Sequence, residues 1–302
     1  MTRARGALTG GTRTSGSPAR YRIPQPRRPT IPDHTETPRI ESVLRQRVVL
    51  SYAAYGVLHC GEHGDDAPKP FGLEGLSPGT TNVERVGIVG EVLTDLHERG
   101  LAVGDDPIAP LLETVRLLHN PHRRIYGWYV SKNASGAEVP GSFHLAESDD
   151  LAVLARMEGG EVALEPVAWN ELHTAVADLL PDTAAAEVAP ITVPAARPPD
   201  PEEPEGWLEA MQATDQRSPV QRDHDRIRDL TAEADLHFAM QVMTAAKDAR
   251  ARETTCEFPL TYYAGDKGAL LTVHKRLDGE GEPQLHMSPA DRDTFRQELA
   301  GL

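Results

Sequence analysis

The sequence contains one structural plan twice: a series of short strands followed by an amphipathic helix. In the first copy, residues 126–181, apolar residues alternate with their neighbours in successive segments, as is typical of strands with one buried face. The residues we assign to the buried faces are Tyr126, Trp128 and Val130, then Leu151, Val153 and Ala155, then Val162, Leu164 and Pro166. The closing helix has an apolar stripe at spacings of three and four, formed by Leu172, Ala175, Val176, Leu179 and Leu180.

The second copy begins near Leu236 and reaches the end of the sequence. Its strands are predicted in the segments LHFAMQVMT, CEFPLTYY, ALLTVHKRL and EPQLHM. The turn Asp278-Gly279-Glu280-Gly281 separates the last two, and Asp-Gly between apolar alternating runs is a strong hairpin signal. Ser288 and Pro289 then predict the N-cap and first residue of a last helix, with a buried side of Phe295, Leu299 and Leu302.

This repetition predicts a duplicated α+β fold built on an antiparallel sheet with flanking helices. Each half needs a covering helix, because a lone antiparallel sheet would leave an apolar face in water. We expect residues 1–40 to be a disordered, Arg- and Pro-rich tail and residues 41–302 to be one domain. Within that domain we distinguish a first half (41–181), an exposed Pro-rich connector (182–206) and a second half (207–302).

One helix before the first strand set has a clear start. Thr81 and Glu84 form a capping box, in which each side chain accepts a hydrogen bond from the other residue's backbone N–H. The spacing predicts a buried stripe of Val86, Val89, Leu93 and Leu96.

The charge is unevenly distributed along the chain. Residues 1–40 contain eight arginines against Asp33 and Glu36, a net charge of +6, so the remaining 262 residues carry −21 of the total of −15. An acidic body repels phosphates, which argues against nucleic-acid binding. No apolar run is long enough to span a membrane, and two cysteines form no disulfide framework. We therefore expect a cytoplasmic protein.

Two short motifs could carry chemistry, and both are weak. Gly75 to Gly79 match the nucleophile elbow G-x-S-x-G, but the residue after the serine is Pro78, which lacks the N–H needed for the oxyanion hole. His59-Cys60-Gly61-Glu62-His63 contains metal-capable side chains, whereas a structural zinc site has four ligands.

Further ligands for that histidine segment are not specified by the sequence. The other cysteine, Cys256, lies in a distant strand, and nothing in the spacing requires His119 or His122 to join. There is no phosphate loop and no dinucleotide fingerprint. We expect no catalytic residues, no cofactor and no metal.

Five segments together resemble the EspG family, the cytosolic chaperones of actinobacterial type VII (ESX) secretion systems. They are TTNVERVGIVGEVLTDLHERGL, PIAPLLETVRLLHNPHRRIYGWYV, DDLAVLARMEGGEVALEPVAWNELHTAVADLLP, LTYYAGDKGALLTVHKRL and LHMSPADRDTFRQEL. The resemblance covers roughly residues 45–302 and implies an EspG-like fold with quasi-two-fold halves around a central antiparallel sheet. One departure is Lys267-Gly268-Ala269, where the family usually has Gly-Arg.

The resemblance implies a chaperone that binds helical PE–PPE-like secretion substrates and keeps them soluble. Tyr262 to Asp266 fit the Y-x-x-x-D/E pattern of type VII cargo, but they lie between predicted strands and no W-x-G turn accompanies them, so we interpret them as a strand-end turn. Two alternatives remain open: an interaction module without a role in secretion, and an enzyme with an unrecognised site.

By analogy with the family, we expect the partner to contact two places. One is the connection between the first two strands, Ser131 to Gly141, which is long for a hairpin and includes Val139. The other is the helical segment near Val220–Ala234. The predicted partner-binding residues are Ala137, Val139, Phe143, Ile227 and Leu230.

Overall fold

The computed structural model is built around one large antiparallel sheet. It describes residues 43–73, 81–195, 219–232, 236–276 and 281–302. The described strands are β1 (Val48–Ser51), β2 (Ala102–Val103), β3 (Asp106–Pro107), β4 (Arg123–Lys132), β5 (Glu138–Ser148), β6 (Leu151–Glu158), β7 (Glu161–Val167), β8 (Ile191–Pro194), β9 (Leu236–Lys247), β10 (Glu253–Thr255), β11 (Leu260–Gly265), β12 (Gly268–Lys275) and β13 (Gln284–Pro289). The described helices are α1 (Tyr52–His63), α2 (Asn82–Glu98), α3 (Ala109–His119), α4 (Leu172–Ala177), α5 (Pro219–Leu230) and α6 (Arg292–Ala300).

The strand order shows the duplication directly. From edge to edge it is β1-β7-β6-β5-β4-β9-β11-β12-β13-β8, while β10 pairs with β9 off this path and β2 pairs with β3 in a separate ribbon. The first half runs outward from β4 through β5, β6 and β7 to α4. The second half runs outward from β9 through β11, β12 and β13 to α6. Since β4 and β9 are antiparallel, a two-fold rotation between them exchanges the halves, and the predicted α+β fold with quasi-two-fold halves is confirmed.

The seam between the halves is the β4–β9 pair, in register from Arg123 opposite Ala246 to Ser131 opposite Phe238. Gly127 lies in this seam. A Cβ at that position would overlap the carbonyl oxygen of Gln241 and approach the Phe143 ring. The close approach of the two central strands therefore depends on glycine at position 127.

One face of the sheet, here called face A, carries the core that both halves share. The helices α4 and α6 pack on it. The largest members of this cluster are Tyr129, Phe143, Leu145, Phe238, Met240, Tyr262 and Phe295. Tyr262 contacts Phe238 and Phe295 in edge-to-face geometry, with ring centroids 6.4 and 5.8 Å away. Side chains from the two halves thus meet in one core.

The opposite face, face B, is covered differently at its two ends. Over β5, β6, β7 and β1, helices α1–α3 bury a second cluster that includes Leu50, Tyr55, Leu58, Leu96, Leu111, Val115, Leu118 and Leu164. Over β12 and β13 the buried cluster comprises, within the part of the chain that the structure describes, Ala186, Leu270 and Met287, with Ile227 and Leu230 of α5 partly buried against it. In helix α2 the predicted capping box is present, with Glu84 N donating to Thr81 Oγ1 (3.2 Å) and Thr81 N donating to Glu84 Oε2 (3.0 Å).

The predicted stripe on α2 is wrong in its first half. Val86 is 75 % exposed and Val89 is 36 % exposed, whereas Val92 and Leu96 are buried. Apolar residues occur on more than one side of this helix, so spacing alone does not decide which side packs. The side of α2 that meets the core carries Ile88, Val92 and Leu96, at spacings of four.

The predicted exposed connector is also partly wrong. Residues 191–194 form β8, which pairs with β13 at the edge of the sheet, and Ile191 and Val193 are buried. Pro194 is tolerated because an edge strand leaves one side without ladder partners. Residues 196–206 of the connector lie outside the described residues, as do the tail at 1–40 and Gly75 to Gly79. The helical prediction near Val220–Ala234 corresponds to α5, which ends at Leu230.

The last helix starts later than predicted. Ser288 and Pro289 belong to β13, where they pair with Leu271 and Leu270. The N-cap is Asp291, whose carboxylate accepts from the backbone N–H of Thr294 (2.8 Å). Leu302, predicted to be buried, is 42 % exposed. Within the predicted Asp278–Gly281 turn, positions 278–280 lie outside the described residues.

Candidate partner-binding surface

The β4–β5 hairpin extends beyond its neighbours in the sheet. Its strands pair continuously from Arg123 opposite Glu147 to Lys132 opposite Glu138, which leaves a tip of five residues, 133–137. The pairing of β5 with β6 begins only at Gly141, and the pairing of β4 with β9 stops at Ser131. Residues 132–140 therefore protrude from the sheet, and the long loop predicted from Ser131 to Gly141 is mostly strand.

Hydrogen bonds to one side chain order the tip. The Oδ1 atom of Asn133 accepts from the backbone N–H groups of Ser135 and Ala137, both at 3.0 Å, and from the Ser135 hydroxyl at 2.7 Å. Gly136 has a φ of +79°, a conformation that other residues adopt at a cost. The tip is therefore a defined turn, at the upper end of ordinary hairpin lengths.

The base of the hairpin is braced by Tyr129. Its ring lies across Gly141 on the partner strand, where a Cβ would overlap it, and stacks on Phe238 with centroids 5.8 Å apart. Its hydroxyl donates to Glu158 Oε2 at 2.5 Å. Burial, then this hydrogen bond, raises the pKa of Tyr129, so the hydroxyl stays a neutral donor. This brace fixes the direction in which the tip projects.

The predicted hairpin residues differ in accessibility. Ala137 is exposed at the tip, and Val139 is half-buried on β5. Phe143 is fully buried on face A, in the shared core. Its assignment as a partner-binding residue is therefore corrected: alternation along β5 turns Phe143 into the shared core, where a partner does not reach it.

Along the direction of the strands, the two predicted residues of α5 lie towards the same side of the sheet as the hairpin tip. Ile227 and Leu230 pack in part against the small face B cluster. The strand β9 begins six residues after Leu230, and its third residue, Phe238, pairs with Ser131 at the base of the tip. Six residues span about 20 Å at most, so Leu230 lies within about 20 Å of Leu236.

Two exposed aromatic residues on face B were not singled out from the sequence. Trp128, on β4, is 44 % exposed, and Phe71 is 39 % exposed and packs on Tyr126 with centroids 4.9 Å apart. The sequence pattern predicts Trp128 on the buried face of its strand, and that prediction is wrong. The other alternating set, Ile125, Gly127 and Tyr129, is the buried one. Both sets contain large apolar residues, so alternation alone did not distinguish them.

The structure brings three histidines together. The ligand atoms of His59, His63 and His119 lie within 4.8 Å of one another, and Nε2 of His59 is 3.3 Å from Nδ1 of His119. Cys60 is not part of this cluster, and His122 instead contacts Ser148 at 3.2 Å. Burial, then the neighbouring histidines, lowers the pKa of His59 to about 4. Burial also lowers the pKa of His63 and His119, so all three rings are neutral at pH 7.

A cleft of about 350 Å³ lies between β6, β7 and α4. Its polar lining consists of Arg156, Glu165, Glu171, Thr174 and Asp178. Its lining contains no histidine, cysteine or serine. The cargo-like pattern, Tyr262 to Asp266, covers the last residues of β11, which ends at Gly265, and the first residue of the turn that follows. It therefore lies at a strand end, as predicted.

Comparison with known protein families gives one match of direct relevance. A model of the EspG family matches residues 51–301, most of the chain. The chain belongs to the EspG family. No curated protein is significantly similar to it in sequence.

A solved structure shows the same fold as this EspG-family chain. It is the Mycobacterium tuberculosis type VII secretion system chaperone EspG5 in complex with the PE25–PPE41 dimer. The TM-score is 0.59 at 13 % identity, over 84 % of this chain and 94 % of the other. None of the helices in the described ranges has the length and apolar character that a membrane span requires.

The turn at Lys267-Gly268-Ala269, where the sequence departs from the family pattern, requires glycine at its centre. Gly268 has a φ of +98°, and a Cβ there would lie 2.6 Å from the Cα of Ala186. Ala185 forms a bridge with Ala269 next to it. Residues that precede β8 thus pack directly on the start of β12, and position 268 has room only for glycine.

Proposed function

We propose that this EspG-family chain is a cytosolic, non-catalytic chaperone of type VII secretion that binds a helical PE–PPE-like heterodimer and keeps it soluble. The observation that carries the proposal is the protruding, braced β4–β5 hairpin with an exposed tryptophan beside it. Its support is the family membership and the fold it shares with a chaperone solved together with a PE–PPE dimer. An exposed apolar helix tip aggregates unless a partner covers it, which is the need that such a chaperone meets.

The proposed docking surface is the sheet end around the hairpin tip, here called the hairpin-end surface. It comprises residues 132–140, Trp128 on face B, and the exposed parts of Ile227 and Leu230. Ala137 and Val139 offer small apolar contacts that fit between helices, and Trp128 offers the large aromatic area that binding hot spots use. A pre-ordered tip also lowers the entropy cost of association.

Calorimetric titration with PE–PPE heterodimers from the same genome tests this proposal. We expect Trp128→Ser to weaken binding by about thirty-fold, the loss typical of an anchor worth about 2 kcal/mol. The double variant Ala137→Asp and Val139→Asp should weaken it at least as much. Trp169→Ser is the matched control, because Trp169 is 63 % exposed in the turn before α4, away from this surface.

Co-expression provides a second readout. A PE–PPE pair that binds should be more soluble with the wild-type chain than with the Asp double variant. If folded Trp128 and hairpin variants all bind within about two-fold of wild type, the docking surface lies elsewhere. If no PE–PPE pair of that genome binds the wild-type chain, the alternative of an interaction module without a secretion role replaces the proposal.

A further inference from the structure

Three histidines from two helices converge at the first end of the sheet. His59 and His63 are four residues apart on α1 and so lie on the same side of that helix. His119 is the last residue of α3. The packing of α3 on α1 brings its ring against both, with centroids 5.3 Å from His59 and 3.9 Å from His63.

The cluster leaves buried nitrogen atoms without hydrogen bonds. His59 is fully buried, and neither its Nδ1 nor the buried Nε2 of His63 has a partner in the described residues. A buried polar atom without a partner costs about 1–3 kcal/mol. The unpartnered Nε2 of His63, which points into a cluster of imidazoles, is better explained by a cation that binds its lone pair than by packing alone.

We propose that His59, His63 and His119 form a binding site for Zn²⁺. The 3.3 Å separation of His59 Nε2 and His119 Nδ1 matches the spacing of about 3.3–3.4 Å between two ligands of a tetrahedral zinc ion at about 2.0–2.1 Å. Histidines at i and i+4 of a helix are a common pair of zinc ligands. Three imidazoles leave the fourth position to water.

Backbone carbonyls orient two of the rings. The carbonyl of Pro68 faces the His119 ring, and the backbone of Val115 faces the His63 ring. Such acceptors fix the tautomer, so that Nδ1 of His119 and Nε2 of His63 carry the lone pairs. The rings of His63 and His119 are stacked with an interplanar angle of 19°, so metal binding requires the His63 ring to turn out of the stack.

Charged side chains of both signs surround the three histidines. Lys69, Arg116 and Lys247 act on the cluster as positive charges, and Glu62 acts as a negative charge near His63. The Glu62 carboxylate is held by Arg116 at 2.5 Å, so the proposed ligand set is imidazole alone. Neutral imidazoles suit zinc and its transition-metal neighbours better than Mg²⁺ or Ca²⁺. The bound ion would tie α1 to the end of α3.

Calorimetric titration of tag-free protein with Zn²⁺ tests the site. We expect one ion per wild-type chain and an affinity lower by roughly 100-fold or more in His63→Gln and His119→Gln, since even outer-shell changes cost 10- to 100-fold. His97→Gln on the exposed end of α2 is the control and should bind like wild type. Stoichiometric Zn²⁺ should also raise the thermal midpoint of wild type and of the control, but not of the two ligand variants.

A spectroscopic measurement on wild type guards against variants that do not fold. Co²⁺ added to the wild-type chain should give the visible absorption of tetrahedral coordination, and Zn²⁺ should displace it. The proposal is overturned if wild type binds no zinc, if folded His63→Gln and His119→Gln bind as tightly as wild type, or if bound Co²⁺ remains octahedral. None of these outcomes bears on the chaperone proposal, which uses the hairpin end of the sheet.

Discussion

The two ends of face B start from the same strand plan and carry different cores. At the first end, α1–α3 bury a large cluster, and Leu111, Val115, Leu117 and Leu118 of α3 are all fully buried. At the second end, the buried cluster has three members among the described residues, and Ile227 and Leu230 of α5 are two of its partly buried contacts. The difference lies in the described helices that precede each half. Within the described residues the two halves share the strand plan, whereas the first end of face B has the larger buried core. The second end lies next to the proposed docking surface.

We expect the largest loss of stability from a substitution in the β4–β9 seam, which joins the two halves in one sheet. Gly127→Ala places a Cβ against the carbonyl oxygen of Gln241 and separates β4 from β9. We expect a loss of about 3 kcal/mol or more in the free energy of unfolding, measured by urea denaturation. A loss below about 1 kcal/mol would show that the strands can move apart at little cost.

Matched truncations compare the two cores directly. Leu118→Ala removes a fully buried side chain at the first end and should cost about 3 kcal/mol. Ile227→Ala removes a half-buried side chain at the second end and should cost about 1 kcal/mol. Equal losses in urea denaturation would contradict the picture of one deep and one thin core.

The stability of the first end of face B should also depend on pH. Burial, then Arg124, lowers the pKa of His144 to about 3, and neither ring nitrogen has a well-formed hydrogen bond. Because the unfolded chain binds this proton near pH 6.5 and the folded chain does not, the contribution of His144 to stability falls as pH decreases from 7 towards 3.

His144→Leu measures that contribution. Between pH 7 and pH 5 wild type should lose about 2 kcal/mol of unfolding free energy more than the variant does. His97→Gln, at an exposed site, should follow wild type. Parallel stability curves for wild type and His144→Leu would show that folding does not lower the pKa of His144.

The smallest change in the free energy of unfolding is expected from substitutions outside both cores. Gly87 and Gly90 lie on the exposed half of α2 with open space around each Cα. Each Gly→Ala change should raise the unfolding free energy by about 0.5–1 kcal/mol, since alanine loses less entropy in a helix. The result would have the opposite sign to that at Gly127, and a loss of stability would mean that α2 packs more closely than its exposure indicates.

Local sequence signals predicted the elements of this protein better than their packing. Thr81 and Glu84 specify a helix start by chemistry within four residues, and the alternation from Leu236 onward specifies β9 correctly. Which side of β4 or α2 is buried depends on residues far along the chain, and Trp128 and Val86 were assigned to the wrong side for that reason. The edge strand β8 and the approach of His119 to His59 likewise arise from contacts between distant segments, which spacing does not encode.

Amide hydrogen exchange of the free and partner-bound chain tests the central claim most directly. With a PE–PPE heterodimer bound, exchange should slow at residues 131–139 and at the C-terminal turn of α5, while α1 and α3 remain unchanged. Protection of α1–α3 together with an unaltered hairpin would contradict the account, because it would put the docking site on the deeply packed end of the molecule.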